Sequence, residues 1–258
     1  ADNLLYQVKV GEYVGQNYGR ITRITETEIV LREIVQDTVG EWIERTSTLT
    51  AFVNPYAVIE WNSHKAYLRE LSARGIPTVP TLWLDQGAAD GVARLLETGW
   101  GEVVVKPAVS IGAIGALRAE ARDPACQAHL VALLADGDVL VQPFVASVAR
   151  DGEVSLVYFG GNFSHAIRKQ PAEGDFRVQE MHGGTVHAWT PAADELALAT
   201  RALAATPAPT TYARVDLVRL PDGQPAVMEL ELIEPELFLG ASPEVAPRFA
   251  EVLRNYAG

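Results

Sequence analysis

The sequence predicts an α+β protein in which a short all-β segment precedes a larger region of mixed helices and strands. Three observations carry this. Ala1 is the only alanine before residue 51, and from Ala51 onward alanine is frequent. Ahead of that break, apolar and polar residues alternate with the period of a strand, and no helix signal appears before Asn62. Near the end of the chain, residues 212–218 and 227–235 read as two strands joined by the turn Pro221-Asp-Gly-Gln-Pro225.

The last pair carries the chemistry. Side chains alternate across a strand, so Arg214 and Asp216 share one face, as do Glu229 and Glu231 on the next strand. If the strands are antiparallel, three carboxylates and a guanidinium converge. Charges on otherwise apolar strands are costly unless compensated. A hard divalent cation such as Mg2+ compensates carboxylates well. A salt-bridged, solvated hairpin face is the competing reading.

The chain has 258 residues, 48% of them hydrophobic, and a net charge of −12. That length suits one large domain or two modest ones. The acidic balance argues against nucleic acid or an anionic membrane as the main partner, although a local cluster of Lys and Arg can still bind a polyphosphate. No apolar run approaches the ~20 residues of a membrane span, and no signal peptide is visible. The single cysteine, Cys126, excludes an intramolecular disulfide and a cysteine-based zinc site.

In order, residues 4–10, 19–24, 28–35 and 42–49 read as strands punctuated by Gly11, Gly15 and residues 37–40. The motifs Tyr6-Gln-Val-Lys-Val-Gly, Ile29-Val-Leu-Arg-Glu-Ile and Gly40-Glu-Trp-Ile-Glu-Arg resemble the C-terminal strands of the PilP family of type IV pilus assembly. The resemblance covers residues 2–50. It implies a periplasmic or inner-membrane β-sandwich that binds pilus-assembly proteins. The chain therefore reads as a join with its seam near residues 50–52, giving domains 1–51 and 52–258.

Beyond the seam, Asn62 is expected to cap a helix over 65–74 that stops at Gly75. Two prolines make 76–83 extended. Residues 88–96 read as a helix, 103–106 as a buried strand and 110–116 as a glycine-containing loop. A helix over 124–134 and strands over 139–141, 153–159 and 164–169 follow. Residues 170–184 read as a long polar loop, and 191–205 as a helix. Lys106 lies on a Val-rich strand, where a buried ammonium calls for an anionic partner such as phosphate; a strand-end lysine reaching solvent is the alternative.

Trp61-Asn-Ser-His-Lys-Ala-Tyr-Leu, Val104-Val-Lys-Pro, Val141-Gln-Pro-Phe-Val, Gly152-Glu-Val-Ser, Ser164-His-Ala-Ile-Arg-Lys, Tyr212-Ala-Arg-Val-Asp and Met228-Glu-Leu-Glu follow one another in the order of an ATP-grasp ligase. Over 52–258 the chain resembles that superfamily's carboxylate–amine ligases, in particular the D-cycloserine-forming group. More distantly it resembles the ribosomal-protein S6 glutamate ligases and the D-alanine–D-alanine ligases. The resemblance implies two α+β subdomains gripping ATP, one or two Mg2+, an acyl-phosphate intermediate, and small carboxylate and amine substrates. Lys65 and Lys106 are then expected on the phosphates. Gln142, Phe144 and Val145 form the adenine hinge, where many relatives carry an acidic residue instead of Gln142. Glu153 takes the ribose. Arg168 and Lys169 face the γ-phosphate or the substrate carboxylate, with Arg177 as a further candidate and Gly183-Gly184 letting the loop approach. Arg214 stabilises the oxyanion. Asp216, Glu229 and Glu231 bind Mg2+, although relatives usually have Glu-x-Asn where this chain has Glu-x-Glu. Glu234 belongs to the substrate site or caps the next turn. His165, His182 and His187 lack the spacing of a zinc site.

Full-length relatives place an α/β domain ahead of this region, so nucleotide binding is expected to survive better than acceptor binding. The ATP-grasp part implies a cytoplasmic enzyme without a membrane partner, and the sequence leaves homo-oligomerisation open. The competing function is a non-enzymatic pilus-assembly protein.

Overall fold

A computed structural model describes residues 9–14, 19–24, 28–36, 42–50, 53–110, 113–172, 178 and 183–256. The chain divides into two compact units, residues 1–53 with 253–258, and residues 54–252. No helix among the described residues is long and apolar enough to cross a membrane.

The first unit is an antiparallel meander of β1 (Tyr13–Val14), β2 (Gly19–Ile24), β3 (Glu28–Gln36) and β4 (Trp42–Thr50). Ile21 pairs with Leu31 across β2 and β3, and both are buried. Period-two alternation puts Glu33 on the same buried face, where Arg45 compensates it at 2.7 Å. Of the strand expected over 4–10, only residues 9 and 10 are described, and Val10 lies in a turn.

The second unit has two sheets. The smaller has order β5-β8-β6-β7, from β5 (Leu82–Leu84), β6 (Glu102–Pro107), β7 (Leu117–Glu120) and β8 (Val139–Pro143). One face, with Val103, Val105 and Val141, packs under α3 (Gly91–Glu97) and α4 (Pro124–Asp136) through Leu95, Leu130 and Leu134. Asp123 caps α4 by accepting from Ala125 N–H at 2.8 Å, and Pro124 fits the first helical position.

The larger sheet has order β11-β10-β9-β12-β13, antiparallel throughout. It comprises β9 (Glu153–Phe159), β10 (Asn162–Gln170), β11 (Thr185–Trp189), β12 (Tyr212–Arg219) and β13 (Pro225–Glu231). One face buries Leu156, Val215, Leu217 and Leu230 against α2 (Tyr67–Ala73) and α6 (Ala193–Leu203), through Leu68, Leu71, Leu198 and Ala202. A third apolar cluster joins Val79, Val145, Val148, Val218 and Ala226.

Several expectations change. The chain is already helical ahead of Asn62, in α1 (Tyr56–Asn62), so Asn62 ends a helix instead of capping the next one. Its side-chain amide bonds the backbone at the edge of β13. Strands β7 and β11, the short α5 (Ser147–Asp151) and the C-terminal α7 (Ala246–Tyr256) have no counterpart in the sequence reading. Strand β11 is five residues long, lies just beyond the polar loop and is mostly exposed, so its alternation is too short to stand out from the loop.

Candidate functional site

Strand register gathers the charged side chains. Lys169 of β10 lies opposite Glu153 of β9, and Asp216 of β12 lies opposite both Ser155 of β9 and Glu229 of β13. Arg214 lies opposite Glu231. Arg214 and Asp216 on β12, and Glu229 and Glu231 on β13, are two residues apart, and with Glu153 and Lys169 they project from the face not covered by α2 and α6. Gly152 lets β9 begin beside β10. Its φ is +80°, and a Cβ there would come within 2.4 Å of the Lys169 carbonyl, so only glycine fits.

Asp216 is the hub. It accepts from Arg214 Nε and Nη2 at 2.9 Å each, from Lys169 Nζ at 3.0 Å and from Ser155 Oγ at 2.5 Å. Burial works to raise its pKa, but Arg214, Lys169 and the Ser155 hydroxyl hold it well below the usual carboxylate range. Lys169 also pairs with Glu153 Oε1 at 2.5 Å. Burial opposes its charge, yet Asp216 and Glu153 raise its pKa. Arg214 bridges further, to Glu231 and to the carbonyl of Glu236 at 3.2 Å. Burial, outweighing the pull of Arg214 and joined by Asp216 and Glu229, pushes Glu231 up to about 8.

Two lysines close the patch. Lys65 pairs with Glu229 at 2.8 Å and donates to the Ser110 carbonyl at 3.2 Å. Lys106 extends from the smaller sheet to within 3.9 Å of the Met228 sulfur. Burial lowers its pKa, partly offset by Glu229. An ammonium against a thioether is poorly compensated, which suits an incoming anion.

The edge of β13 is held by side chains, not by another strand along its length. Asn62 Nδ2 donates to the Leu230 carbonyl and Oδ1 accepts from Leu232 N–H, both at 3.0 Å. Tyr67 Oη accepts from Leu230 N–H at 2.9 Å. Asn54 Nδ2 donates to the carbonyls of Tyr212 and Leu232. These amides stand in for a missing peptide neighbour and set the strand that carries Glu229 and Glu231. Asn62→Leu should cost about 1–2 kcal/mol in urea unfolding, because the Leu232 N–H loses its partner and the Leu230 carbonyl keeps only the Tyr67 hydroxyl. An unchanged midpoint would contradict the edge role.

The sequence candidates divide accordingly. Lys65, Lys169, Glu153, Arg214, Asp216, Glu229 and Glu231 come together, with Lys106 facing them. Arg168 does not join them. As the neighbour of Lys169 it points to the opposite sheet face, where its guanidinium stacks 3.5 Å from the Trp189 ring. Glu153 is turned onto Lys169 and is buried, a different environment from the ribose-facing position expected of it. Gln142 Nε2 donates to Thr81 Oγ1 at 3.0 Å. The Phe144 ring is covered by Arg118 at 3.6 Å, and Val145 belongs to the third apolar cluster. His165 Nε2 donates to the Leu237 carbonyl, 2.9 Å away, and burial lowers its pKa. Glu234 is exposed, with its pKa raised by burial of its neighbourhood. Arg177, His182, Ile111 and Gly112 lie outside the described residues.

Among the described residues, no three His, Cys, Asp or Glu side chains form a ready-made metal cage. The expected trio shares a face, but Asp216 is already saturated by two cations and a hydroxyl. Glu229 and Glu231 are the carboxylates whose chemistry fits Mg2+. They are less buried than Asp216, and burial first, with Asp216 and Glu229 beside it, raises the Glu231 pKa, so a divalent cation would favour its charged form. Ser155, Asn54, Asn62 and Tyr67 were not found by the sequence reading as site residues. The alternation that places Glu153 on this face places Ser155 there too, so that signal was present.

Residues 68–234 match the family described as the RimK-like ATP-grasp domain, and residues 1–51 match the family described as Pilus assembly protein, PilP. The chain is 37% identical over 233 residues to the cycloserine biosynthesis protein DcsG of Streptomyces lavendulae, covering 81% of this chain and 75% of that protein. It is 44% identical over 46 residues to the type IV pilus inner membrane component PilP of Pseudomonas aeruginosa, covering 18% of this chain and 26% of that protein. Among solved structures, D-cycloserine synthetase DcsG superposes with a TM-score of 0.69 at 36% identity, covering 78% of this chain and 72% of that one. A D-alanine–D-alanine ligase from Bacillus anthracis superposes with a TM-score of 0.61 at 16% identity, covering 79% and 69%, a likeness of fold.

Proposed function

The chain belongs to the RimK-like ATP-grasp family, and from that premise we propose that it is an ATP-dependent carboxylate–amine ligase, or cycloligase, working through an acyl phosphate. The carrying observation is the face of β9, β10, β12 and β13 on which Arg214 and Lys169 are held by Asp216 while Lys65 and Lys106 close over it.

In this reading the γ-phosphate passes to a substrate carboxylate, ADP leaves, and an amine then attacks the acyl carbon and expels phosphate. Lys65 and Lys106 bind the nucleotide phosphates. Lys65 exchanges its bond to Glu229 for one to phosphate, and Lys106 gains a partner better than a thioether. Arg214 and Lys169 are aimed where charge develops on the acyl oxygen, and the buried Asp216 fixes both in advance. Glu153 serves as the second anchor of Lys169. Glu229 and Glu231 would hold Mg2+, which supplies charge neutralisation on the phosphates when bound. Gln142, Phe144 and Val145 form the hinge for the base. Arg168 is assigned to the sheet's other face, outside the chemistry. The acid and amine are small molecules, and the relation to a cycloserine biosynthesis protein makes an amino-acid-derived substrate the first class to test.

The test is thermal unfolding with and without Mg-ATP. At a hundred times its dissociation constant the ligand should add about 2.7 kcal/mol, a shift of several degrees, and Lys106→Met should abolish it. A folded protein that shows no shift would refute the reading.

The match of residues 1–51 to a pilus assembly family favours a second reading for that segment alone: a non-enzymatic role in type IV pilus assembly at the inner membrane. The segment spans about a quarter of its relative. Secretin or pilus-protein binding that persists after the ATP site is mutated would support it.

A further inference from the structure

Among the described residues Gln142 is one of the least exposed polar side chains, yet only half of its amide is used. Leu82 pairs with Val141 across β5 and β8, so Thr81 and Gln142 are neighbours at the next step of the same ladder. Thr81 Oγ1 donates its only proton to the Val79 carbonyl at 2.8 Å. The 3.0 Å contact between Gln142 and Thr81 must therefore run from the amide Nε2–H to the hydroxyl oxygen. This sets the amide's orientation. The other end, Oε1, is a neutral acceptor with no hydrogen-bond partner among the described residues.

The surroundings suit a flat apolar ring with a polar edge. Gln142 lies opposite Val104 on the face of the smaller sheet that also presents Lys106, away from the cluster under α3 and α4. Val104 and Lys106 are two steps apart along β6, about 7 Å of strand. Val79 and Val145, which flank the Thr81–Gln142 pair in sequence, belong to one apolar cluster with Met228 packed on it. An ammonium for phosphate thus stands on the same face as an outward acceptor bordered by apolar side chains.

We propose that Thr81 is a positioning residue that locks the Gln142 amide with its carbonyl oxygen outward, and that this oxygen selects 6-aminopurine over 6-oxopurine nucleotides. The inference rests on the nucleotide-binding reading above and deepens it. A 6-amino group donates to Oε1. A 6-oxo group would set acceptor against acceptor, and the amide cannot turn to offer its N–H without leaving Thr81 without that donor. In a chain with a carboxylate at this position no lock would be needed, because a carboxylate only accepts. The glutamine makes Thr81 matter.

The experiment measures dissociation constants for ATP and GTP in magnesium buffer by calorimetry on five proteins: the native chain, Thr81→Val, Thr81→Ser, Gln142→Glu, and the double variant Thr81→Val with Gln142→Glu. The native chain should prefer ATP by about tenfold or more, the size of one satisfied against one opposed hydrogen bond. Thr81→Val should bring that preference down to about threefold or less, chiefly by strengthening GTP, and should lower the melting temperature because the Gln142 N–H and the Val79 carbonyl lose a partner; Thr81→Ser should restore both. In the Gln142→Glu background the same Thr81→Val change should leave the ratio where it was. A ratio unmoved by Thr81→Val alone overturns the lock. An equal fall in both backgrounds also overturns it, because the effect would then be distortion and not amide orientation. Failure of the native chain to bind either nucleotide overturns the nucleotide reading together with this inference, whereas ATP binding with an unmoved ratio removes the inference alone.

Discussion

Asp216→Ala should lower the unfolding free energy by about 3–5 kcal/mol, the scale for removing one partner from a buried charge network. The substitution strips Arg214 of two hydrogen bonds, Lys169 of one and Ser155 of its acceptor, all in a buried patch. Glu153 and Glu231 remain, but each then faces a cation that has lost its main counter-charge. Urea unfolding at neutral pH measures the loss. Asp216→Asn should cost less, because an amide oxygen still accepts from Arg214 or Ser155. The sign with pH is also defined. The folded-state pKa of Asp216 is depressed, so its contribution is present above the ordinary carboxylate range and fades as pH falls through that range and below. A loss below about 1 kcal/mol would mean that the hub is solvated and that the strands, not the charges, hold the face together.

Glu231→Gln should have the opposite character. In the folded chain the Glu231 carboxyl is pushed up to about 8 from an ordinary 4.5, by burial first and by the neighbouring Asp216 and Glu229. The folded state therefore holds a proton that the unfolded state releases between these values. Stability from this group is full below about 4.5 and is lost as pH rises toward and past 8. At about 1.4 kcal/mol per unit the undiscounted loss would approach 5 kcal/mol, and solvent reaching 32% of the side chain reduces it to about 3 kcal/mol. With divalent cations chelated, the native chain should lose that much between about pH 5 and pH 9 relative to Glu231→Gln. Parallel pH profiles for the two proteins would show that Arg214 keeps Glu231 ionised throughout.

These two carboxylates illustrate what was legible beforehand. Alternation placed Arg214 with Asp216, and Glu229 with Glu231, on shared faces; antiparallel pairing then brings the four together. The composition break at residue 51 coincides with the end of the PilP match and lies close to the boundary between the two compact units. Elements such as β9, β12 and β13 were readable because polar or charged residues stand at alternate positions in otherwise apolar runs: Glu153 and Ser155, Arg214 and Asp216, Glu229 and Glu231. Weakly patterned ones were not. Strand β11 is exposed on most of its residues, and α1 is short and bears no capping side chain.

Arg168 and Lys169 show the limit more sharply. As adjacent basic residues they are equivalent in composition, yet the pleat sends one to Trp189 and the other to Asp216. Asn62 is similar. Its residue type suits a helix cap, and only the free edge of β13 turns its amide into a substitute strand.

The sequence by itself determined the α+β class, the order of the motifs and which charged residues lie on common strand faces, because these depend on local periodicity and composition. The tertiary structure decided which charge neutralises which, that Asp216 is saturated while Glu231 is not, and that Gln142 is held at one end by Thr81. Those outcomes depend on register between strands distant in sequence, and on burial, which sets the strength of each interaction. Neither can be read from a residue's neighbours along the chain.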